Sequence, residues 1–316
     1  MVSSRKFFAY SSAILFVTII GFSLMFVKIA IRFADPLDVL ADRFTVAFIF
    51  SLIVLLVTRI KLSIHWETIL HLLPLALLNP FLYFLAQALG LVYLPASEAG
   101  IIQATIPIFT LLFATLFLNE KTNWLQKLSI GLSVFGILFI FAMTGIQFGY
   151  ISWSGISLML VSTLSHSGYN VLARTTAKSY RMIDMTYLMV FMGFLSFNLI
   201  ALTDHLMRGS MGQLYQPFLQ TPFLLSVLVL GIFASFIAFF LVNFALSEVE
   251  ASRFGAFTNL TTIIAVFSGA VFLHETLVYY HYIGAVLVIL GVIGVNIFSA
   301  AKNPVKLKHK RFLNEK

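Results

Sequence analysis

The side chains able to do chemistry in this chain lie inside long apolar runs. In the run 152–173, Ser162, His166, Tyr169 and Asn170 fall at i, i+4, i+7 and i+8, which puts them on one face of a helix, flanked by Ser165 and Ser167. Asn79, Tyr83 and Gln87 repeat the i, i+4, i+8 spacing in the run 68–89, beside Pro80, which removes one backbone donor and frees a carbonyl. Hydroxyls, amides and a phenol recognise polar small molecules, and an imidazole adds a group that binds and releases a proton near neutral pH. Such groups are costly inside a bilayer, roughly 2.5–3.5 kcal/mol for a central charge on insertion scales, so each deep one is a candidate for function. Both faces have a competing structural use, because Ser, Asn and His also act as hydrogen-bonding glue between membrane helices.

Further candidates are Gln103 in the run 97–118, Asn243 in the run 222–245, and Thr258 and Thr262 in the run 252–273. Threonines in membrane helices also bond their own backbone, which leaves the last two open between cavity lining and local bonding. A charged group, Lys28, Arg32, Asp35, Asp38, Asp42, Arg43 and Glu98, crowds one end of three runs. It reads either as a gate in which Arg43 or Lys28 pairs with Glu98 or Asp42, or as snorkelling side chains and solvated ion pairs of little energetic weight. No Asp or Glu stands mid-run, against an exchanger built on a buried carboxylate, and Lys28 and Arg43 are expected at the rim, against phosphate-bearing substrates. Enzyme chemistry lacks its parts. No serine sits in a nucleophile elbow, no glycine-rich phosphate loop occurs, His166 has no carboxylate nearby in sequence, and His274-Glu275 lacks the second histidine at i+4 of a zinc helix. Without cysteine there is no disulfide or thiolate metal site, and no metal or cofactor is expected.

What must position these groups is a set of membrane spans. At 60% hydrophobic and 10% charged residues, a 316-residue chain cannot hide its apolar surface in one soluble core, so the fold class is an all-α polytopic membrane protein. A span needs about 20 mostly apolar residues. Ten runs qualify: 8–31, 38–58, 68–89, 97–118, 124–143, 152–173, 184–204, 222–245, 252–273 and 279–300. Arg5-Lys6 before the first run resembles the start of a signal peptide, but the run is long and no small-residue cleavage pattern follows, so it reads as a retained span. With both termini cytoplasmic, 16 Lys and Arg lie inside and only Arg32 and Arg208 in outer loops, the asymmetry expected of a cell-membrane protein in this orientation. The net charge of +8 therefore points to lipid and not to nucleic acid, and the basic tail 302–316 is expected along anionic cytoplasmic headgroups.

The chain also repeats itself. Phe81 to Gly136 lies over Phe236 to Gly291 without a gap at an offset of 155, with 12 of 56 positions identical, among them Ala96/Ala251, Ser97/Ser252, Gly100/Gly255 and Glu120/Glu275. Five spans separate the copies, so the second is inverted relative to the first, giving a first five-helix repeat 1–148 and a second 149–301. Glu120 and Glu275, at span ends, are expected to tie helix ends through backbone or hydroxyl groups. Gly131 and Gly136 with Gly284, Gly291 and Gly294 permit close approach of spans five and ten, a homodimer face included.

Phe117-Leu118-Asn119-Glu120 followed by Gly131 and Gly136, and Phe272-Leu273-His274-Glu275 followed by Gly284 and Gly291, resemble the twin signature of the EamA family of the drug/metabolite transporter superfamily. Arg43, Pro107 and the run Ser167-Gly168-Tyr169 to Ala173-Arg174 are similar to the family pattern as well. Departures are Ile20-Gly21, where an aromatic-Gly step is usual, and Thr262, where the first copy has Pro107. The resemblance implies ten helices, inverted repeats, a central cavity and export of amino acids or other small metabolites. Together with the polar faces it gives a secondary transporter of a small neutral, zwitterionic or amphipathic molecule, with protons as the candidate coupling ion through His166. The rival class is a non-transporting scaffold or a lipid-modifying membrane protein. Polar faces spread over spans three, six, eight and nine disfavour the scaffold, and the missing catalytic constellation disfavours the enzyme.

Overall fold

The computed structural model describes residues 2–118, 123–148, 152–176, 179–211, 216–248 and 251–300, and among these every regular element is helical. The rods are α1 Val2–Ala30, α2 Pro36–Thr58, α3 Trp66–Tyr93, α4 Ala96–Phe117, α5 Trp124–Phe148, α6 Trp153–Thr176, α7 Met182–Arg208, α8 Thr221–Glu248, α9 Ala251–Phe272 and α10 Tyr279–Ala300. Seven of them, α1 to α5, α7 and α8, contain a stretch long and apolar enough to cross a membrane. The polar rod is α6, in which serines, threonines, His166, Asn170 and Arg174 interrupt the apolar sequence. Starts and stops follow local chemistry. Pro36 and Pro222 occupy first turns where a missing N–H costs nothing, and α7 closes on Gly209, whose φ of 66° is left-handed and whose N–H reaches the His205 carbonyl.

Three rods are broken in their middles. In α3, a π-turn at Leu77–Leu82 separates two α-helical halves, with Asn79 non-helical at φ −147° and ψ 113° ahead of Pro80. A second π-turn, Ile232–Ile237, divides α8. The segments Trp66–Ala76, Leu77–Leu82 and Tyr83–Tyr93 recur as Thr221–Gly231, Ile232–Ile237 and Ala238–Glu248, each boundary 155 residues on. The register of the sequence repeat is thus also the register of the backbone breaks. In α4 the interruption is a turn at Ala104 and Thr105, just before Pro107.

Packing joins α5 to α10, α3 to α6 and α1 to α8 most extensively, followed by α2 to α7 and α1 to α9. Small residues make the first pair possible, since a Cβ on Gly136 would lie 2.8 Å from the Gly284 carbonyl oxygen and one on Gly291 2.2 Å from Ser133 Oγ. These glycines face each other within the chain; Gly131 meets open space. The apolar core between the other rods centres on Leu24, Phe44, Phe84 and Phe197, with Phe44 edge-on to Phe84 at 5.4 Å.

One carboxylate fixes the start of α4. Glu275, after the end of α9, accepts from Ala96 N at 2.7 Å, Ser97 N at 3.0 Å and Ser97 Oγ at 2.6 Å, filling donors that a helix N-terminus leaves unpaired. Gly269 gives the carboxylate room, because a Cβ there would stand 2.4 Å from Glu275 Oε2. Glu120, its partner in the repeat, lies outside the described residues. Glu275→Gln and Gly269→Ala should each lower stability in detergent by about 1–3 kcal/mol, and the double variant by clearly less than the sum, because both act on one cap. Thermal unfolding followed by tryptophan fluorescence reads all three, and full additivity would separate Gly269 from the cap.

Candidate functional site

Polar side chains gather at the breaks in α3, α4 and α8, where main-chain carbonyls accept bonds from neighbouring rods. Ser165 donates to Leu78 O at 2.7 Å, Ser162 to Tyr83 O at 3.0 Å and Ser167 to Ile106 O at 3.0 Å, so three hydroxyls of α6 are engaged in holding α6 to α3 and α4. For Ser162 the structural use anticipated for this face is the one observed. The same contacts bring the rest of the face onto α3.

Asn79 Nδ2 lies 3.0 Å from His166 Nδ1, and the amide donates to the ring in the tautomer whose proton is on Nε2. The Tyr83 ring packs 4.8 Å from the imidazole, and its hydroxyl accepts from Gln87 Nε2 at 3.0 Å and Gln103 Nε2 at 3.5 Å. Tyr169, one turn along α6, donates to Asn243 Oδ1 of α8 at 3.0 Å, and Asn243 Nδ2 reaches Thr186 of α7 at 3.4 Å. Asn170 is buried beside them. Of the α9 candidates, Thr262 donates to Gly100 O of α4 at 3.0 Å, and Thr258 is buried. The structure therefore joins Asn79, Tyr83, Gln87, Gln103 and His166 through direct contacts, links Tyr169 to Asn243, and places Thr262 in a separate tie between α4 and α9.

The expected ion-pair gate is absent among the described residues. Arg43 does not stay at the rim. Its side chain is fully buried and runs to the π-turn in the middle of α8, donating from Nε to Ser235 Oγ at 2.7 Å and from Nη2 to Ala234 O at 2.8 Å, with the guanidinium carbon 4.0 Å from the Phe84 ring centre. The physical reason is reach: eight residues into α2, a long side chain turned inward meets a hydroxyl and a carbonyl of the π-turn. Lys28 is held by carbonyls as well, those of Leu91 and Leu94 at the C-terminal end of α3, where a helix favours a cation. Glu98 Oε1 stands 3.5 Å from His281 Nε2, and Asp42 is half-buried and pairs with neither cation.

None of the central group, Arg43, Asn79, Tyr83, Gln87, Gln103, His166, Asn170, Ser235 and Asn243, is more than 6% exposed. Even so, Arg43 Nη1 and the amide oxygens of Asn79, Gln103 and Asn170 have no hydrogen-bond partner. A buried network with both donors and acceptors left open is equipped to hold a small polar molecule by hydrogen bonds and one ion pair. Sequence spacing did not reveal the Arg43 acceptors. The signal available was the repeat itself, for Ala234 and Ser235 stand 155 residues after Asn79 and Pro80. Also unforeseen was a polar cavity of about 700 Å³ at the α1–α2 end, where Asp38 Oδ1 meets His205 Nε2 at 2.9 Å and Arg208 meets Asp204 at 2.9 Å.

Comparison with known proteins gives a consistent picture. The model of the EamA-like transporter family matches residues 7–142 and again 153–297. A Bacillus subtilis protein named "Uncharacterized transporter YcxC" is 44% identical over 297 residues, covering 94% of this chain and 95% of its own. An "Uncharacterized transporter" of Archaeoglobus fulgidus is 26% identical over 277 residues, covering 87% and 94%. A solved structure titled "Crystal structure of protein" superposes with a TM-score of 0.62 over 95% of this chain and 98% of that one, at 17% identity, a likeness of fold.

Removing the Ser235 hydroxyl should leave the buried Arg43 Nε unpaired. Ser235→Ala is expected to cost about 1.5–3 kcal/mol of stability in detergent, Ser235→Thr much less, and Ser235→Ala almost nothing once Arg43 is already Met. A double-mutant cycle on thermal unfolding measures the coupling.

Proposed function

This chain belongs to the EamA-like transporter family, and from that premise we infer that it is a secondary transporter of a small neutral, zwitterionic or amphipathic organic metabolite, such as an amino acid. Ten spans in two inverted five-helix repeats, 1–148 and 149–301, rock about the central cluster and open it to one side of the cell membrane at a time. The observation that carries this reading is the cluster itself. It is buried at the π-turns, built jointly by α2, α3 and α4 of the first half and α6 and α8 of the second, and open at four polar atoms. A purely structural network in such a place would pair its members, since each unsatisfied buried group costs about 1–3 kcal/mol.

Two further facts support the architecture. Backbone breaks recur at the offset of the sequence repeat, and the Lys and Arg of the loops favour cytoplasmic termini with the basic tail on the same side. The direction taken is export, the use to which the family resemblance points. His166, the imidazole in the cluster, is the group through which protons would couple.

Counterflow in proteoliposomes, with amino acids, amines, nucleosides and organic cations offered with and without a pH gradient, tests the reading. Asn170→Leu should weaken substrate binding about tenfold or more by removing a buried acceptor, whereas His166→Gln should retain binding and flatten the pH dependence of transport. Wild-type behaviour in both variants would reduce the α6 face to helix packing. The inversion has its own test: cysteine tags at Gln147 and Ser179 should label from opposite sides, Gln147 from outside, and labelling of both from the cytoplasm would overturn it.

A further inference from the structure

Arg43 is a buried cation with neutral company. Its hydrogen-bond acceptors are a serine hydroxyl and a peptide carbonyl, and the face it lies against is that of Phe84. These satisfy donors and soften desolvation, yet none carries a negative charge. Carboxylates near it in sequence or at the same end of the bundle are engaged elsewhere or turned away: Asp38 on His205, Glu98 on His281, Glu275 on the start of α4, and Asp42 pairing with nothing. Tyr83 is the titratable side chain close enough to act on the guanidinium electrostatically. Nη1, meanwhile, is buried and unpartnered, and only one of the two hydrogens on Nη2 is used. The outer edge of the guanidinium is thus left in the fork geometry that grips a carboxylate with two parallel hydrogen bonds.

We propose that Arg43 holds the carboxylate of a monoanionic or zwitterionic substrate, and that this neutralisation lets the site close, making the protein an exchanger of carboxylate-bearing molecules. The proposal rests on the transport reading above. Closing the site around Arg43 strips water from the guanidinium. With a carboxylate in place an ion pair is buried, and without one a lone charge is buried, which is the far costlier state. The loaded carrier therefore changes sides faster than the empty one, and export proceeds against entry of a second carboxylate. A single guanidinium suits a single negative charge. A phosphate dianion would bring a surplus, and Lys28 is already held by two carbonyls. The free amide oxygens of Asn79, Gln103 and Asn170 accept from donors on the remainder of the substrate.

The test uses the full chain in proteoliposomes and matched probes: each of the twenty standard amino acids, with the α-carboxamide and the decarboxylated amine of every one that is carried. Exchange of the acids should run roughly tenfold or more faster than their net efflux, and the amide and amine should be carried at most weakly. Arg43→Gln should lose the preference for the acid and bring exchange and net efflux together, while Arg43→Lys, which keeps the charge, should retain exchange with weaker apparent affinity. Should Arg43→Gln fail to fold, the Lys variant and the wild-type probe comparison decide. Equal carriage of acid and amide by the wild type, or net efflux as fast as exchange, would overturn the proposal and leave the transport reading intact. Carriage of no probe, with no acid raising the thermal midpoint of the purified protein, would overturn both.

Discussion

Inside an apolar slab the backbone has no water to bond, so where the π-turns of α3 and α8 change the helical pattern at the middle of the bundle, further hydrogen bonds to the main chain come from side chains. Most of the site follows from how those bonds are made. Hydroxyls of α6 donate to carbonyls of α3 and α4, and in doing so hold α6 close enough for His166 to meet Asn79. The carbonyl of Ala234 draws Arg43 across from α2. Polar side chains that would be penalised elsewhere in the bundle are stabilised at this level, because main-chain carbonyls accept their hydrogen bonds.

Within the cluster, tying and binding are done by different atoms. Ser162, Ser165, Ser167, Thr262 and the Tyr169–Asn243 pair are satisfied by the protein, and they fix distances between helices. Arg43, Asn79, Gln103 and Asn170 are each held or surrounded so that one polar atom stays open. Side chains positioned by one contact and free at another are preorganised, which lowers the entropy lost when a ligand is bound.

Much of this was legible in the sequence, and the limits have physical causes. Long apolar stretches and the 155-residue repeat located the helical rods, the i, i+4, i+8 spacings put Asn79, Tyr83 and Gln87 on one face and Ser162, His166 and Asn170 on another, and Glu275 was expected at a helix-end tie. Helical spacing says which residues share a face but not what that face meets. It could not tell that Ser162 would reach a carbonyl while Asn170 stayed open. Arg43 was harder still, since a side chain of its length can point toward the rim or the centre from the same Cα, and the choice was made by a π-turn in a helix nearly 200 residues away. Lys28, whose expected carboxylate partners stand on other helices, settled on the main-chain carbonyls that close α3.

The two breaks stand at equivalent positions of the repeat and differ in side chain, with Asn79 non-helical only in the first, and that difference gives the site a direction. At the first, Asn79 and Pro80 present an amide to an imidazole; at the equivalent positions of the second, Ala234 and Ser235 present a carbonyl and a hydroxyl to a guanidinium. Breaks at matched positions let both rods bend at the same level of the bundle. Matched side chains at both would have offered a ligand two equal ends to bind. With charge concentrated at one bend and neutral acceptors at the other, a molecule between them has its ends distinguished, and it keeps that orientation while the helices around it move.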